Sequence, residues 1–176
     1  MAGRTDGQTR LRLRLLADRR LLLELIVRPI RHILAPTDFS PSADQAVRTA
    51  ADLAVKFAAD LTLLHIVAPQ YYLPEMGEPM MPAMEDLTET LVASAKSRLA
   101  ELAAMLQPEP RCVVEVSLRK PADAVCHYAA GHGIDLIVIG SHGRTGLMHL
   151  LLGATSEHVV RYADCPVLVT KLERNG

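Results

Sequence analysis

Two apolar runs constrain this chain most: Leu61-Thr62-Leu63-Leu64-His65-Ile66-Val67 and Asp135-Leu136-Ile137-Val138-Ile139. Neither alternates apolar with polar residues, so neither suits a strand with one wet face. A continuously apolar strand needs cover on both sides, as in the centre of a parallel sheet. His32-Ile33-Leu34-Ala35-Pro36, Cys112-Val113-Val114-Glu115-Val116 and Val167-Leu168-Val169-Thr170 read as three further short strands. Between them the apolar residues recur at helical spacing. Ala43, Ala46, Val47, Ala50, Ala54, Phe57 and Ala58 form one such set, and the many alanines predict a helix packed closely on the sheet. Leu87, Leu91, Ala95, Leu99, Leu102 and Leu106 form a second, over residues 85–106. Ala122, Val125, Cys126 and Ala129 form a third, opened by Pro121 and closed by Gly131 or Gly133. The fourth runs over residues 154–162.

The order is therefore β-α-β-α-β-α-β-α-β. Each connection is long enough to return the chain in parallel, and such crossovers are right-handed. A single doubly wound α/β domain with a five-stranded parallel sheet and helices on both faces follows. The boundaries expected are a domain over residues 31–176 and an extension over residues 1–30.

That extension differs in charge. Seven arginines against three acids give it +4, while the remainder, twelve basic against seventeen acidic residues, carries −5. Its Arg/Leu mixture suits an amphipathic helix on a membrane or partner, an unordered extension, or a start codon placed too far upstream. A structurally dispensable extension is the preferred reading, with no membrane contact expected. Glu24 interrupts the apolar core that a signal peptide needs, whereas the composition admits a transit peptide. No window approaches about 18 uncharged apolar residues, as a membrane span would require.

Composition narrows the function. Aromatics make up 3% and there is no Trp, which removes the stacking platforms of single-stranded nucleic-acid binders. A net charge of −1 argues against a general polyanion binder, so no nucleic-acid partner is expected. Cys112, Cys126 and Cys165 are odd in number and far apart, so they read as small apolar residues in a reducing compartment, and the cytoplasm is expected. Residues 68–84, with four prolines and four methionines, read as a loop without regular structure, serving as a lid, a contact surface or a plain insertion.

The chemistry concentrates where strands end. In open α/β sheets, ligands sit off the carboxyl ends of the strands where the strand order reverses. Pro36-Thr37-Asp38 follows strand one, with Ser40 as N-cap and Pro41 at the first helical position. Gly140-Ser141-His142-Gly143-Arg144-Thr145-Gly146 follows strand four. If those strands are neighbours, the two turns line one crevice. The glycine turn and the helix after it would then favour a phosphate. The dinucleotide fingerprint G-x-G-x-x-G and the P-loop G-x-x-x-x-G-K-[ST] are both absent.

The wider spacing is more specific. Gly140-x2-Gly143-x9-Gly153-Ala154 closely resembles the G-x2-G-x9-G-[S/T] nucleotide motif of the universal stress protein family. Residues 32–40 resemble that family's opening strand and turn, Leu63-Leu64-His65-Ile66 its second strand, and Cys165-Pro166-Val167-Leu168-Val169 its closing strand. The resemblance covers residues 31–171 and leaves the extension outside. It implies a Rossmann-like or flavodoxin-like sheet of strand order 3-2-1-4-5, which sets strands one and four side by side. It implies ATP as ligand, since many members bind it. A Mg²⁺ brought by ATP could be held by the phosphates with Asp38 nearby. By position, Pro36, Thr37, Asp38 and Ile66 match the surroundings of adenine and ribose. Ile139, Gly140, Ser141, His142, Gly143 and Arg144 match the phosphate loop and the strand end leading into it. Gly153, Ala154 and Thr155 match the second phosphate-contacting turn. Ala154 departs from the family's Ser or Thr, which removes a hydroxyl donor worth roughly 0.5–1.5 kcal/mol; Thr155 or Ser156 is the candidate replacement.

Plainer readings stand beside these. Asp38 also suits a turn residue bonding its own backbone, and Arg144 a solvated surface arginine. His142 belongs to the loop without a catalytic role, and His65 reads as a satisfied core or rim histidine. His149 and His158 are nine residues apart, which is no metal-ligand spacing on a helix. With no Walker lysine and no evident base, phosphoryl transfer has few means here. The expected function is an ATP-binding stress regulator acting through nucleotide-dependent conformation and dimerisation. The alternatives are a slow ATPase or autophosphorylating enzyme on the same site, and a dimeric interaction module without useful nucleotide affinity. Val167–Thr170, apolar and uncharged at a sheet edge, is the expected homodimer contact.

Overall fold

Five parallel strands stand in the order β3-β2-β1-β4-β5 in the computed structural model, which describes residues 29–71, 81–142 and 152–171. The strands are β1 (His32–Pro36), β2 (Asp60–Val67), β3 (Arg111–Val116), β4 (Leu136–Gly140) and β5 (Val167–Thr170). Four helices connect them: α1 (Pro41–Phe57), α2 (Met81–Ala103), α3 (Pro121–Gly131) and α4 (Ala154–Tyr162). This is the strand order that the family resemblance implies. β1 pairs with β2 on one side (Ile33 with Leu61) and with β4 on the other (Ile33 with Leu136), so the strand order reverses between β1 and β4.

The apolar runs build two cores because successive side chains on a strand point to opposite faces. Ile33, Ala35, Leu61, Leu63, Leu136 and Val138 meet α1 and α2 on one face. Leu34, Leu64, Ile137 and Ile139 meet α3 and Val159 of α4 on the other. α1 approaches through Ala43, Ala46, Ala50, Ala51 and Ala54, all buried, and their small volume brings its axis close to the strands. Ser40 caps α1 by accepting the Ala43 amide at 3.3 Å, and Ala58 closes the helix at φ 51°. At the amino end of the sheet, the Asp135 carboxylate accepts the amides of Arg31 (2.8 Å) and His32 (3.0 Å). Ile30 packs on the α1–α2 core just before β1. The extension over residues 1–28 lies outside the described residues.

β2 and β3 each start one residue earlier than expected, β4 is shifted one residue later, and α2 differs more at both ends. α2 begins at Met81 rather than Glu85, and ends at Ala103 rather than Leu106. Pro82 is tolerated there because a first-turn proline lacks only an amide that would have no helical partner. Residues 69–71 form a short 3-10 turn where unstructured loop was expected; residues 72–80 of that loop lie outside the described residues. Leu106 is buried from the turn after α2. The three cysteines are free, and desolvation pushes each thiol pKa up; Cys126 and Cys165 pack against the α3–α4 core, whereas Cys112 is exposed.

Leu34 is fully buried in the α3–α4 core. Leu34→Ala is expected to lower unfolding free energy by about 2–5 kcal/mol, measured by urea titration with an unchanged slope. A loss below about 1 kcal/mol would mean that the site collapses around the smaller residue.

Candidate functional site

The turns after β1 and β4 meet at the carboxyl end of the sheet, because those strands are neighbours. The first turn is fixed by its own polar groups. The Thr37 amide donates to the Leu64 carbonyl (2.9 Å), and Thr37 Oγ1 accepts the Phe39 amide (3.0 Å). His65 Nδ1 lies 2.7 Å from the Thr37 carbonyl, which can only accept, so the Nδ1 proton is present. Asp38 Oδ1 accepts the Ser40 amide at 3.0 Å. The turn-forming role of Asp38 is therefore real, and it takes one of roughly four acceptor positions on a carboxylate.

The second turn is tied to three elements. Gly140 lies so close to α1 that an added Cβ would sit 2.6 Å from the Ser42 carbonyl oxygen and 2.6 Å from its Oγ. Ser42 Oγ also accepts the His142 amide at 3.4 Å. The Ser141 amide donates to Thr170 of β5 at 2.8 Å. The Ser141 carbonyl accepts the Gly153 amide at 2.7 Å, and Ser156 Oγ donates to the Gly140 carbonyl at 2.6 Å. The two glycine turns are thus bonded to each other, and α4 starts at the site.

These bonds sort the expected site residues. Pro36, Thr37, Ile139, Gly140 and Ser141 are buried and form the floor. Ile139 belongs to the α3–α4 core, and Ser141, 2% exposed, spends its backbone on the sheet and the second turn. Asp38, Ile66, His142 and Gly153 are partly exposed, and Ala154 and Thr155 are exposed. These six form the accessible surface among the described residues. Gly143 and Arg144, like His149, lie outside the described residues.

α4 begins at the second turn, with the positive end of its dipole there. Its N-cap, Gly153, has no side chain to cap the first turn, so the Ala154 and Thr155 amides keep their dipole toward the crevice. Ser156 cannot replace the hydroxyl missing at Ala154, because it is 3% exposed and bonded to Gly140; exposed Thr155 can. Ser42 was missed by sequence reasoning altogether. Its signal is a small residue in the first turn of a helix facing a glycine, legible only once the β1–β4 pairing is known. Among the described residues no group of three or more His, Cys, Asp or Glu could hold a metal. His158 instead pairs with Asp123 at 2.7 Å, joining α4 to α3.

A parallel sheet of order β3-β2-β1-β4-β5, with its reversal point between β1 and β4 and helices on both faces, defines a doubly wound α/β protein. The sequence profile of the Universal stress protein family matches residues 29–171. The chain belongs to the universal stress protein family. Universal stress protein MJ0531 of Methanocaldococcus jannaschii is 31% identical over 162 residues, covering 89% of this chain and 94% of that protein. The solved structure of MJ0577 superposes with a TM-score of 0.71 at 26% identity, covering 84% of this chain and 99% of that one. Two further universal stress proteins, solved with cAMP and, from Archaeoglobus fulgidus, with dAMP, share the fold at TM-scores of 0.53 and 0.51. Their identities are 19% and 17%, covering 81% and 80% of this chain and 97% and 96% of theirs.

Gly140→Ala should force α1 off the end of β4. The expected result is a clear drop in melting temperature. Ser156→Ala leaves the buried Gly140 carbonyl without its donor and is expected to cost about 1–3 kcal/mol. Thr155→Ala, at an exposed position, is expected to stay within about 0.5 kcal/mol of wild type; equal effects of the two substitutions would contradict the bonding described.

Proposed function

We propose that this protein is a stress-response regulator that binds ATP across the two turns and dimerises through its edge strand. Adenine and ribose lie over Pro36, Thr37, Asp38 and Ile66, with the Asp38 carboxylate accepting from a ribose hydroxyl. The phosphates lie toward residues 140–144 and the Gly153–Thr155 turn, whose uncapped amides favour negative charge. A Mg²⁺ arriving with the nucleotide would be held chiefly by the phosphates. The observation that carries this reading is the pair of glycine turns joined by the Ser141–Gly153 and Ser156–Gly140 bonds beside Asp38. Proteins of the same fold solved with cAMP and dAMP make an adenine nucleotide a reasonable ligand for it.

Ala154 lowers the affinity by one hydroxyl without removing the amide. No helix among the described residues is long and apolar enough to cross a membrane, and a cytoplasmic setting with free thiols completes the reading.

Dimerisation is argued from β5. It has one strand neighbour, β4, and its exposed face carries Leu168 at 39% exposure. An uncharged edge strand offers its unpaired amides and carbonyls to a second copy.

ATP at about 100 times its Kd is expected to stabilise the protein by ~2.7 kcal/mol, read as a rise in melting temperature. Asp38→Ala should reduce that rise, and the absence of any rise in the wild type would count against nucleotide binding. Light scattering at micromolar concentration should give a dimer for the wild type and a monomer for Leu168→Lys. A monomeric wild type would defeat the edge-strand proposal.

A further inference from the structure

The turn that carries Asp38 is held from outside the crevice. Phe39, the next residue, has φ 62°, in the left-handed region that non-glycine residues rarely occupy. Something must compensate for that conformation. The Phe39 ring lies 4.6 Å from the His65 ring, tilted by 33°, and His65 is itself anchored on the Thr37 carbonyl. Over the Phe39 ring stands the guanidinium of Arg98, with Cζ 4.0 Å from the centroid. Arg98 belongs to α2, an element that supplies none of the residues assigned to the nucleotide.

The ring packs on the α1–α2 core but is not enclosed on every side. A hollow of about 200 Å³ lies beside it, lined by Val67, Leu91, Ser94 and Ala95 together with the three stacked residues. The ring has space to leave on that side. An Arg over an aromatic face is attracted by the ring's quadrupole, and its planar group also stacks.

We propose that Arg98 is a positioning residue for the nucleotide site. Its guanidinium keeps Phe39 in the left-handed conformation, and the peptide between Asp38 and Phe39 then sets the direction of the Asp38 carboxylate toward the ribose. Without Arg98, Phe39 relaxes toward common φ values, that peptide rotates, and the carboxylate turns away while the phosphate turns stay as they are. The inference rests on the ATP reading above and adds α2 as the support of ribose recognition.

The test is calorimetric titration of the full chain with ATP and with 2′,3′-dideoxy-ATP, which lacks the hydroxyls that Asp38 would accept. The wild type is expected to prefer ATP by roughly tenfold, the worth of a hydrogen bond to a charged group. Arg98→Ala should lose that preference and keep its affinity for the dideoxy nucleotide, matching Asp38→Ala. Arg98→Lys, which retains a cation for the ring, should restore most of the preference. A merely structural role would weaken both nucleotides together, and that outcome, or an unchanged preference in Arg98→Ala, overturns the inference. A wild type that binds both equally overturns it too, since Asp38 would not be reading the ribose. A wild type that binds neither defeats the ATP reading itself, and is told apart because it appears before any substitution.

Discussion

The crest of the sheet depends on one close approach, that of α1 to the end of β4 at Gly140. No side chain fits there: a Cβ would meet the Ser42 backbone oxygen and hydroxyl at 2.6 Å. Because α1 is also the helix that leaves β1, this contact sets the β1 turn beside the β4 turn. The alanines of α1 make the same approach possible along its whole length, since larger residues would hold the helix away from the strands. Core packing and site geometry are therefore one constraint. The crevice exists because a small-residue helix lies down on a strand that ends in glycine.

Around that contact, polar groups are used mostly for construction. Thr37, Ser42, Ser141 and Ser156 are buried; the Thr37, Ser42 and Ser156 hydroxyls bond backbone within or between the turns, and the Ser141 hydroxyl lies 3.0 Å from His142 Nδ1. A buried polar group without a partner would cost about 1–3 kcal/mol, so these serines and threonine fix the turns as firmly as apolar residues fix the cores. Above this floor Asp38, Ile66 and His142 are partly exposed, and the start of α4 is exposed. The stack of Arg98 on Phe39 and Phe39 against His65 belongs to the same economy of construction, acting from the α2 side.

Much of this was legible in the chain. The unbroken apolar runs at β2 and β4 announced strands covered on both faces, and the helical spacing of the alanines announced α1. The glycine spacing pointed to the universal stress protein family, to which the chain belongs. The start of α2 was not legible, because prolines and methionines around Met81 read as loop while a first-turn proline costs a helix nothing. Ser141 shows what a motif position leaves out: its backbone is bonded to β5 and to the second turn, partners that only the strand order brings within reach. Ser156 shows the same limit, since a hydroxyl near a motif cannot be told from one bonded to the floor beneath it. The stacked Arg98 was invisible because its partner lies in another element, and only the packing of α2 on β2 and β3 brings them together.

The account turns on whether the crevice holds an adenine nucleotide. The most direct measurement is a mass spectrum of the small molecules released when the purified, denatured protein is separated from its ligands, followed by titration of the emptied protein with ATP. ATP or ADP in near-stoichiometric amount, or saturable rebinding that Asp38→Ala weakens, is the predicted result. No nucleotide released and no heat on titration, from a protein that melts cooperatively, would contradict the account.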